Sequence, residues 1–104
     1  MPMTMIAGHE VSVDDEGFMT RYDEWDETTG AALAAAIGIE MTDEHWKLID
    51  FLRSDFKAQG ETPTTRRVDT VGGFPTKVQF TLFPKKPAKK SAYIAGLPKP
   101  HGCV

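Results

Sequence analysis

A segment near the middle of the chain, residues 41–60, reads MTDEHWKLIDFLRSDFKAQG and has the strongest helical pattern in the sequence. Thr42 is a favourable N-cap residue, and the two acidic residues after it suit the positive end of a helix dipole. Met41 and Trp46 have the spacing of a hydrophobic staple, and apolar side chains then recur at helical spacing until Gly60. The pattern predicts a core helix in which Trp46 is a packing residue rather than a binding platform.

The residues before this helix predict a small meander of three short antiparallel strands over residues 4–20. Polar and apolar side chains alternate at positions 10–13, and turn-forming residues follow as far as Gly17. From Asp23 the pattern becomes helical, with acidic residues in the expected first turn and small residues up to Gly38. The N-terminal part of the chain is therefore predicted to combine a sheet with a first helix.

The residues after the core helix predict further helices. Pro63 could open one over residues 64–71, and residues 88–95 form another that ends at Gly96. Residues 75–83 fit a strand and a helix equally well, because their apolar side chains show both spacings. We therefore predict an α+β fold in which the meander packs on about five helices. The predicted single domain spans residues 1–104, with the meander at 4–20, the helical array at 23–95 and an extended, proline-rich C-terminal arm at 96–104.

The composition is that of an ordinary polar domain, with 104 residues, 40% of them hydrophobic and 26% charged. The single cysteine, Cys103, excludes an intramolecular disulfide, a cysteine-based zinc site and an iron–sulfur cluster. His9, His45 and His101 lack the spacing of metal ligands, so we expect no metal and no cofactor. The N-terminus has neither a basic start nor a long apolar run, so we expect a cytoplasmic protein without membrane contact.

Charge is distributed unevenly along the chain. Residues 1–56 hold 13 acidic and three basic side chains, whereas residues 57–104 hold nine basic and two acidic ones. The basic half could steer an anionic partner, such as a nucleic acid or an acidic protein face, or it could be only a solvated surface. Arg66 and Arg67 lie on the second of two consecutive helices, which leaves a helix-turn-helix interpretation open, with weak nucleic-acid contact.

The last residues, 96–104, read GLPKPHGCV and contain the main candidate for chemistry. The alternating prolines favour an extended arm, and Gly96 and Gly102 predict a hinge at each end. Such an arm could carry the Cys103 thiol about 25 Å. A terminal thiol can also lack any role, because chain termini are usually disordered.

The neighbours of this thiol in sequence do not activate it strongly. The Val104 carboxylate disfavours the thiolate, whereas Lys99 and His101 favour it. The pattern predicts a carrier whose thiol is activated in the pocket of a partner, rather than an enzyme with its own preorganised site.

The ending of the chain resembles the C-terminal signature of the DsrC/TusE family, the gamma-subunit-like proteins of dissimilatory sulfite reductase and their sulfur-relay relatives. The similarity covers essentially the whole chain, although the segment between Val71 and Phe80 is shorter than in typical members and lacks their aromatic pattern. The similar positions upstream of the ending are Asp14, Glu16, Gly17, Phe18, Trp25, residues 41–46, residues 51–53, Pro63, Arg66, residues 82–84 and residues 87–89.

This resemblance implies a three-stranded meander on about five helices with a projecting arm, and sulfur carried on Cys103 as a persulfide. Members that act with sulfite reductase have a second cysteine where this chain has Ala92, so the chain is more similar to the single-cysteine, TusE-like members. Those members imply a sulfur donor complex of the TusBCD or DsrEFH type. The implied acceptor is a tRNA thiouridylase or a sulfite-reductase-like protein, in tRNA thiolation, sulfur oxidation or sulfite reduction.

The expected catalytic residue is thus Cys103, in a sulfurtransferase-type carrier that acts as a protein co-substrate. The basic residues expected to bind a partner or to support the arm are Lys85, Lys86, Lys89, Lys90, Lys99, Arg66 and His101. Two other functions stay open. One is a regulatory or nucleic-acid-binding module, and the other is a modulator of a sulfite-reductase-type enzyme that inserts its arm without carrying sulfur.

Overall fold

A computed structural model describes residues 3–100 of the chain. Within these residues an antiparallel hairpin precedes a short 3₁₀ turn and five helices, so the predicted α+β class is confirmed. The elements are β1 (Met3–Ile6), β2 (His9–Ser12), the 3₁₀ turn (Tyr22–Glu24), α1 (Glu27–Ala36), α2 (Asp43–Gln59), α3 (Thr65–Thr70), α4 (Thr76–Leu82) and α5 (Pro87–Ile94).

The sheet differs from the predicted three-stranded meander, because the described chain forms only two strands. The expected third segment makes a single bridge, between Val13 and Met19. The outer edge of β2 accepts one hydrogen bond, from the Thr20 amide to the Ser12 carbonyl at 3.0 Å. The Ser12 amide itself donates to the Glu24 side chain at 2.7 Å. The Glu24 carboxylate therefore binds the Ser12 amide, a donor that a third strand would need for its hydrogen bonds to β2.

Helix α2 matches its prediction closely. It begins after Thr42, carries acidic residues in its first turn and ends at Gly60, whose φ is +79°. Leu48, Ile49 and Leu52 of this helix are at most 1% exposed. They form the main core with one side of α5, and Trp46 packs against that core as expected.

Helix α1 begins later than predicted. The acidic residues at positions 23 and 24 lie in the 3₁₀ turn, and Asp26 is the N-cap whose side chain accepts the Thr29 amide at 2.8 Å. The first acidic cluster is used elsewhere, because Glu24 reaches back to β2. The helix then ends near Gly38 as predicted, with a positive φ of 75° at that glycine.

The ambiguous segment 75–83 contains a helix. A strand would bury alternate side chains together, yet Phe80 is 45% exposed. Gln79 is instead buried, and its amide group donates to the Thr65 and Phe74 carbonyls at 3.0 and 2.9 Å. The bond to Thr65 ties α4 to the start of α3. None of the helices in residues 3–100 is long and apolar enough to cross a membrane.

Candidate functional site

The hydrogen bonds that close α5 fix the position at which the following residues leave the helix. The Leu97 amide donates to the Ala92 carbonyl at 3.0 Å, and the Gly96 amide donates to the Tyr93 carbonyl at 3.3 Å. With Gly96 at a φ of +69°, this is the Schellman arrangement that closes many helices. Leu97 is fully buried in the main core. Gly96 is therefore a helix-terminating residue and not the predicted hinge.

The Trp25 ring holds this helix end from one side. Its indole nitrogen donates to the Ile94 carbonyl at 2.7 Å. A Cβ added at Gly96 would overlap the Trp25 ring, and one added at Gly30 of α1 would lie 2.7 Å from the opposite part of it. The ring thus fills a slot between α1 and the end of α5 that two glycines keep open.

Arg53 holds the same helix end from α2. Its guanidinium donates to the Ala95 carbonyl at 2.7 Å and to the Tyr22 carbonyl at 2.8 Å. It lies over the Tyr22 and Trp25 rings, 3.9 and 4.2 Å from their centroids. Burial lowers the pKa of Arg53, an effect that the nearby Tyr22 and Asp50 oppose. An arginine stays protonated under such a shift, so the Arg53 guanidinium remains a charged donor to both carbonyls.

Two further contacts hold the chain after Leu97. The Thr62 hydroxyl donates to the Pro98 carbonyl at 2.8 Å, and Lys99 pairs with Glu16 at 3.1 Å. Pro100 is also buried. We call residues 96–100 the arm base, because they lie on the body of the protein and lead to the terminal residues.

These contacts shorten the predicted arm of residues 96–104. The stretch that was expected to extend from Gly96 is bonded to the body as far as Pro98, and Pro100 is buried. Cys103 and His101 lie outside the described residues. Two residues lie between Pro100 and Cys103, and the three chain steps limit the distance between their α-carbons to about 11 Å, in place of the 25 Å expected for the full arm.

Three of the predicted basic residues come together beside the arm base. Lys86, Lys89 and Lys90 line one groove of about 370 Å³. Its other lining residues are Glu16, Phe18, Ile37 and Tyr93. Lys99 reaches the edge of this groove through its pair with Glu16. Lys85 and Arg66 are exposed and are not among the lining residues.

The helix-turn-helix interpretation finds no support in the geometry of α3. This helix has only six residues. Its Arg67 is engaged by Asp55 of α2 in a two-pronged pair, with nitrogen–oxygen distances of 2.7 and 2.8 Å. The hydrogen bond to Asp55 raises the pKa of Arg67. Arg67 thus joins two helices, and its guanidinium is paired with a carboxylate of the protein itself.

Sequence reasoning missed the residues that hold the end of α5 and the arm base. Trp25 and Arg53 are among the positions that resemble the family, but no role was expected for them. Thr62 carries no sequence signal of its own, because its contact with Pro98 spans 36 positions. Among residues 3–100, no cluster of three or more histidine, cysteine or acidic side chains could hold a metal ion.

Comparison with known proteins places this chain in a defined family. The family model described as "DsrC like protein" matches residues 5–104. Sulfurtransferase TusE of Salmonella typhimurium is 34% identical over 111 residues, covering 98% of this chain and 100% of that protein. The gamma subunit of the dissimilatory-type sulfite reductase of Nitratidesulfovibrio vulgaris is 38% identical over 98 residues, covering 93% of each.

A solved structure shows the same similarity. The crystal structure of the oxidized gamma-subunit of the dissimilatory sulfite reductase (DsrC) from Archaeoglobus fulgidus has a TM-score of 0.78 at 38% identity, covering 99% of this chain and 100% of that one. The chain therefore has the fold of the small gamma-subunit-like proteins. It belongs to the DsrC-like family, as its sequence resemblance predicted.

Proposed function

We propose that this protein is a sulfur carrier that accepts sulfane sulfur as a persulfide on Cys103 and passes it to a second protein. The observation that carries the proposal is that the family match extends to residue 104 and so includes the only cysteine of the chain. Relatives named sulfurtransferase and sulfite reductase subunit support a role in sulfur relay.

The proposed reaction needs one thiol and no change in overall redox state. The Cys103 thiolate attacks the outer sulfur of a donor persulfide, the bond between the two donor sulfurs breaks, and the donor thiolate leaves. An acceptor thiolate then attacks the outer sulfur of the Cys103 persulfide, and Cys103 returns to a thiolate. Both steps are thiolate exchanges at a sulfur–sulfur bond, and their rates depend on access and on the fraction of thiolate.

The arm base supports this proposal by fixing the point from which the thiol is presented. Arg53, Trp25 and Thr62 bond to three carbonyls between Ile94 and Pro98. Chain length keeps the Cys103 α-carbon within about 11 Å of Pro100, and Pro100 is itself buried against the body of the protein. Confining a reactant near a docked partner raises its effective concentration at the point of attack.

Position 92 distinguishes between two kinds of carrier chemistry. Ala92 is fully buried in α5, and it is the position at which the resemblance places a second cysteine in sulfite-reductase partners. This chain cannot close an intramolecular disulfide, because it has one cysteine. The proposed cycle is therefore the single-thiol relay, and the alternative in which the terminal residues modulate an enzyme without carrying sulfur is left to experiment.

The proposed partners follow from the same family. The donor would be a complex of the TusBCD or DsrEFH type, and the acceptor a tRNA thiouridylase or a sulfite-reductase-like protein. We propose that the exchange takes place in the cytoplasm, that residues 1–104 act as a single domain and that no cofactor takes part.

Intact mass spectrometry tests the proposal directly. The purified protein is incubated with a cysteine desulfurase and cysteine, beside the Cys103→Ser variant, and both are measured before and after reduction. We expect the unmodified protein alone to gain the mass of one sulfur atom, which a reductant removes. Equal loading of the serine variant, or no loading under conditions that load a known relay protein, would contradict a carrier role for Cys103.

A further inference from the structure

We propose that the groove beside the arm base docks a short acidic segment of a partner protein that also carries an apolar side chain. This inference deepens the proposed function, because it assigns a binding surface to a partner in sulfur transfer. The groove is lined by Phe18, Ile37 and Tyr93 together with three lysines. Its volume, about 370 Å³, is in the range of sites that hold a small molecule or a few side chains.

The floor of the groove is apolar and preformed. Phe18 is 6% exposed and belongs to the main core, and Tyr93 meets it edge to face with ring centroids 5.8 Å apart. Ile37 is half-buried beside them. Residues anchored in the core in this way do not need to reorganise when a ligand binds, which lowers the cost of docking an apolar side chain.

The rim carries positive charge that the described protein does not neutralise. Lys86, Lys89 and Lys90 lie at the start of α5, spaced so that they share one face. No ion pair within residues 3–100 involves any of them, and the first turn of α5 has no acidic residue. Cations at a helix N-terminus oppose the helix dipole, so this cluster does not stabilise the helix. Carboxylates from a partner would complement both the lysines and the dipole.

The only acidic residue among the lining residues is already engaged. Glu16 pairs with Lys99 of the arm base at 3.1 Å. The pair also links the groove to the terminal residues, since Cys103 follows Lys99 by four positions and can lie no more than about 14 Å from it. A segment docked in the groove would therefore hold its own protein within reach of the thiol.

The shape of the floor favours a peptide over a nucleic acid. Proteins that bind single strands present open aromatic faces on which bases stack. Here Phe18 is almost fully buried, and Tyr93 is packed edge to face against it. The basic residues that line the groove are all lysines, without the arginine forks that suit phosphates. We therefore assign the groove to an acidic protein segment.

The test uses a defined probe, a fluorescein-labelled peptide of alternating Glu and Asp with one central Phe, followed by fluorescence anisotropy at low salt. The full-length variant Lys86→Gln/Lys89→Gln/Lys90→Gln is compared with Lys47→Gln/Lys57→Gln/Lys77→Gln, which removes the same charge from exposed positions elsewhere. We expect the first variant to bind at least about tenfold more weakly than the unmodified protein. We expect the second to change the dissociation constant by less than about threefold.

Three controls decide the outcome. In the unmodified protein, the peptide should shift the amide NMR signals of Phe18, Ile37 and Tyr93, and a peptide with Ala in place of Phe should bind more weakly. The proposal would be overturned if both lysine variants lost the same affinity for the peptide. It would also be overturned if the peptide shifted only amide NMR signals outside the groove. Tighter groove-dependent binding of a single-stranded oligonucleotide of equal charge would overturn the choice of a protein ligand.

The test is independent of the thiol. Peptide binding is also measured with the full-length Cys103→Ser variant, which should match the unmodified protein. If this binding is intact while sulfur loading fails, the docking surface stands and the carrier role falls. If loading succeeds while the peptide does not bind, the docking proposal alone is wrong.

Discussion

At the scale of single residues, the helix end depends on a glycine that has two separate requirements. Gly96 adopts a left-handed conformation, and it also lies against the Trp25 ring with no room for a side chain. Gly38 has a similar positive φ, of 75°, but nothing lies within 4 Å of its added Cβ. Alanine substitutions at the two glycines can therefore distinguish the free-energy cost of the backbone conformation, present at both positions, from the cost of a steric clash, present only at Gly96.

Gly96→Ala should lower the free energy of unfolding by more than Gly38→Ala. The Gly38 variant should lose about 1 kcal/mol, which is typical of a non-glycine residue forced into this conformation. The Gly96 variant should lose at least about 1 kcal/mol more, because Trp25 must move or its bond to the Ile94 carbonyl must lengthen. Urea unfolding measures both. Equal losses would mean that the Trp25 ring does not confine this position.

At the scale of elements, a histidine joins the start of α2 to the end of α4. His45 is buried, and its Nδ1 accepts the Thr42 amide at 3.1 Å. Its Nε2 lies 2.8 Å from the Leu82 carbonyl. These partners assign the proton to Nε2, which donates to Leu82 while Nδ1 accepts. One side chain thus satisfies an N-terminal donor of one helix and a C-terminal acceptor of another.

Replacing His45 by leucine should destabilise the protein, because it removes the hydrogen bonds to the Thr42 amide, the Thr42 hydroxyl and the Leu82 carbonyl while keeping an apolar side chain in the core. The expected loss is about 1–3 kcal/mol, since these partly buried hydrogen bonds contribute about 1 kcal/mol each. Lys47→Leu on the same helix is the control, because Lys47 is exposed and should change stability by less than about 0.5 kcal/mol. Similar unfolding free energies for the two variants would contradict the bridging role of His45.

At the scale of the whole molecule, the main core includes the first part of the predicted arm. Leu97 belongs to the same buried cluster as Leu48, Leu52 and Phe83. Arg53 joins α2 to Ala95, across 42 positions of sequence. The arm base is therefore held by contacts that form only when the helices are assembled.

Hydrogen exchange should reveal this coupling. The Leu97 amide is buried and bonded to Ala92, so it should exchange as slowly as the amides of α5 that open only on global unfolding. The control is the Gly73 amide in the turn after α3, an exposed residue that should exchange faster. Rapid exchange at Leu97 while α5 stays protected would restore a hinge at Gly96 in place of a fixed arm base.

Local sequence signals were sufficient for several elements of this fold and for the family. The N-cap, the staple and the terminal glycine of α2 are contained within residues 41–60, so the helix was predicted with its observed ends. The last helix carries its own start and stop signals in Pro87 and Gly96. Cys103 was singled out by its position, and the resemblance of the ending supplied its expected role as a carrier, which remains a proposal.

Tertiary contacts decided the rest, because they join residues that no sequence window holds together. Glu24 takes the Ser12 amide across 12 positions, and the third strand is reduced to one bridge. Gln79 turns inward to two carbonyls, and segment 75–83 contains a helix rather than a strand. Propensity is a weak preference of about 1 kcal/mol or less per residue, which such contacts override.

The arm base shows most clearly the difference between what local sequence predicts and what tertiary contacts decide. The prolines and glycines of residues 96–104 indicated an extended arm, since their local preferences exclude helix and sheet. Those preferences do not reveal that Thr62 bonds to the Pro98 carbonyl of this segment, or that Trp25 and Arg53 hold the carbonyls of Ile94 and Ala95 just before it. The sequence alone determined that Cys103 is the single thiol of the chain, and the assembled helices decided that residues 96–100 lie against the body of the protein.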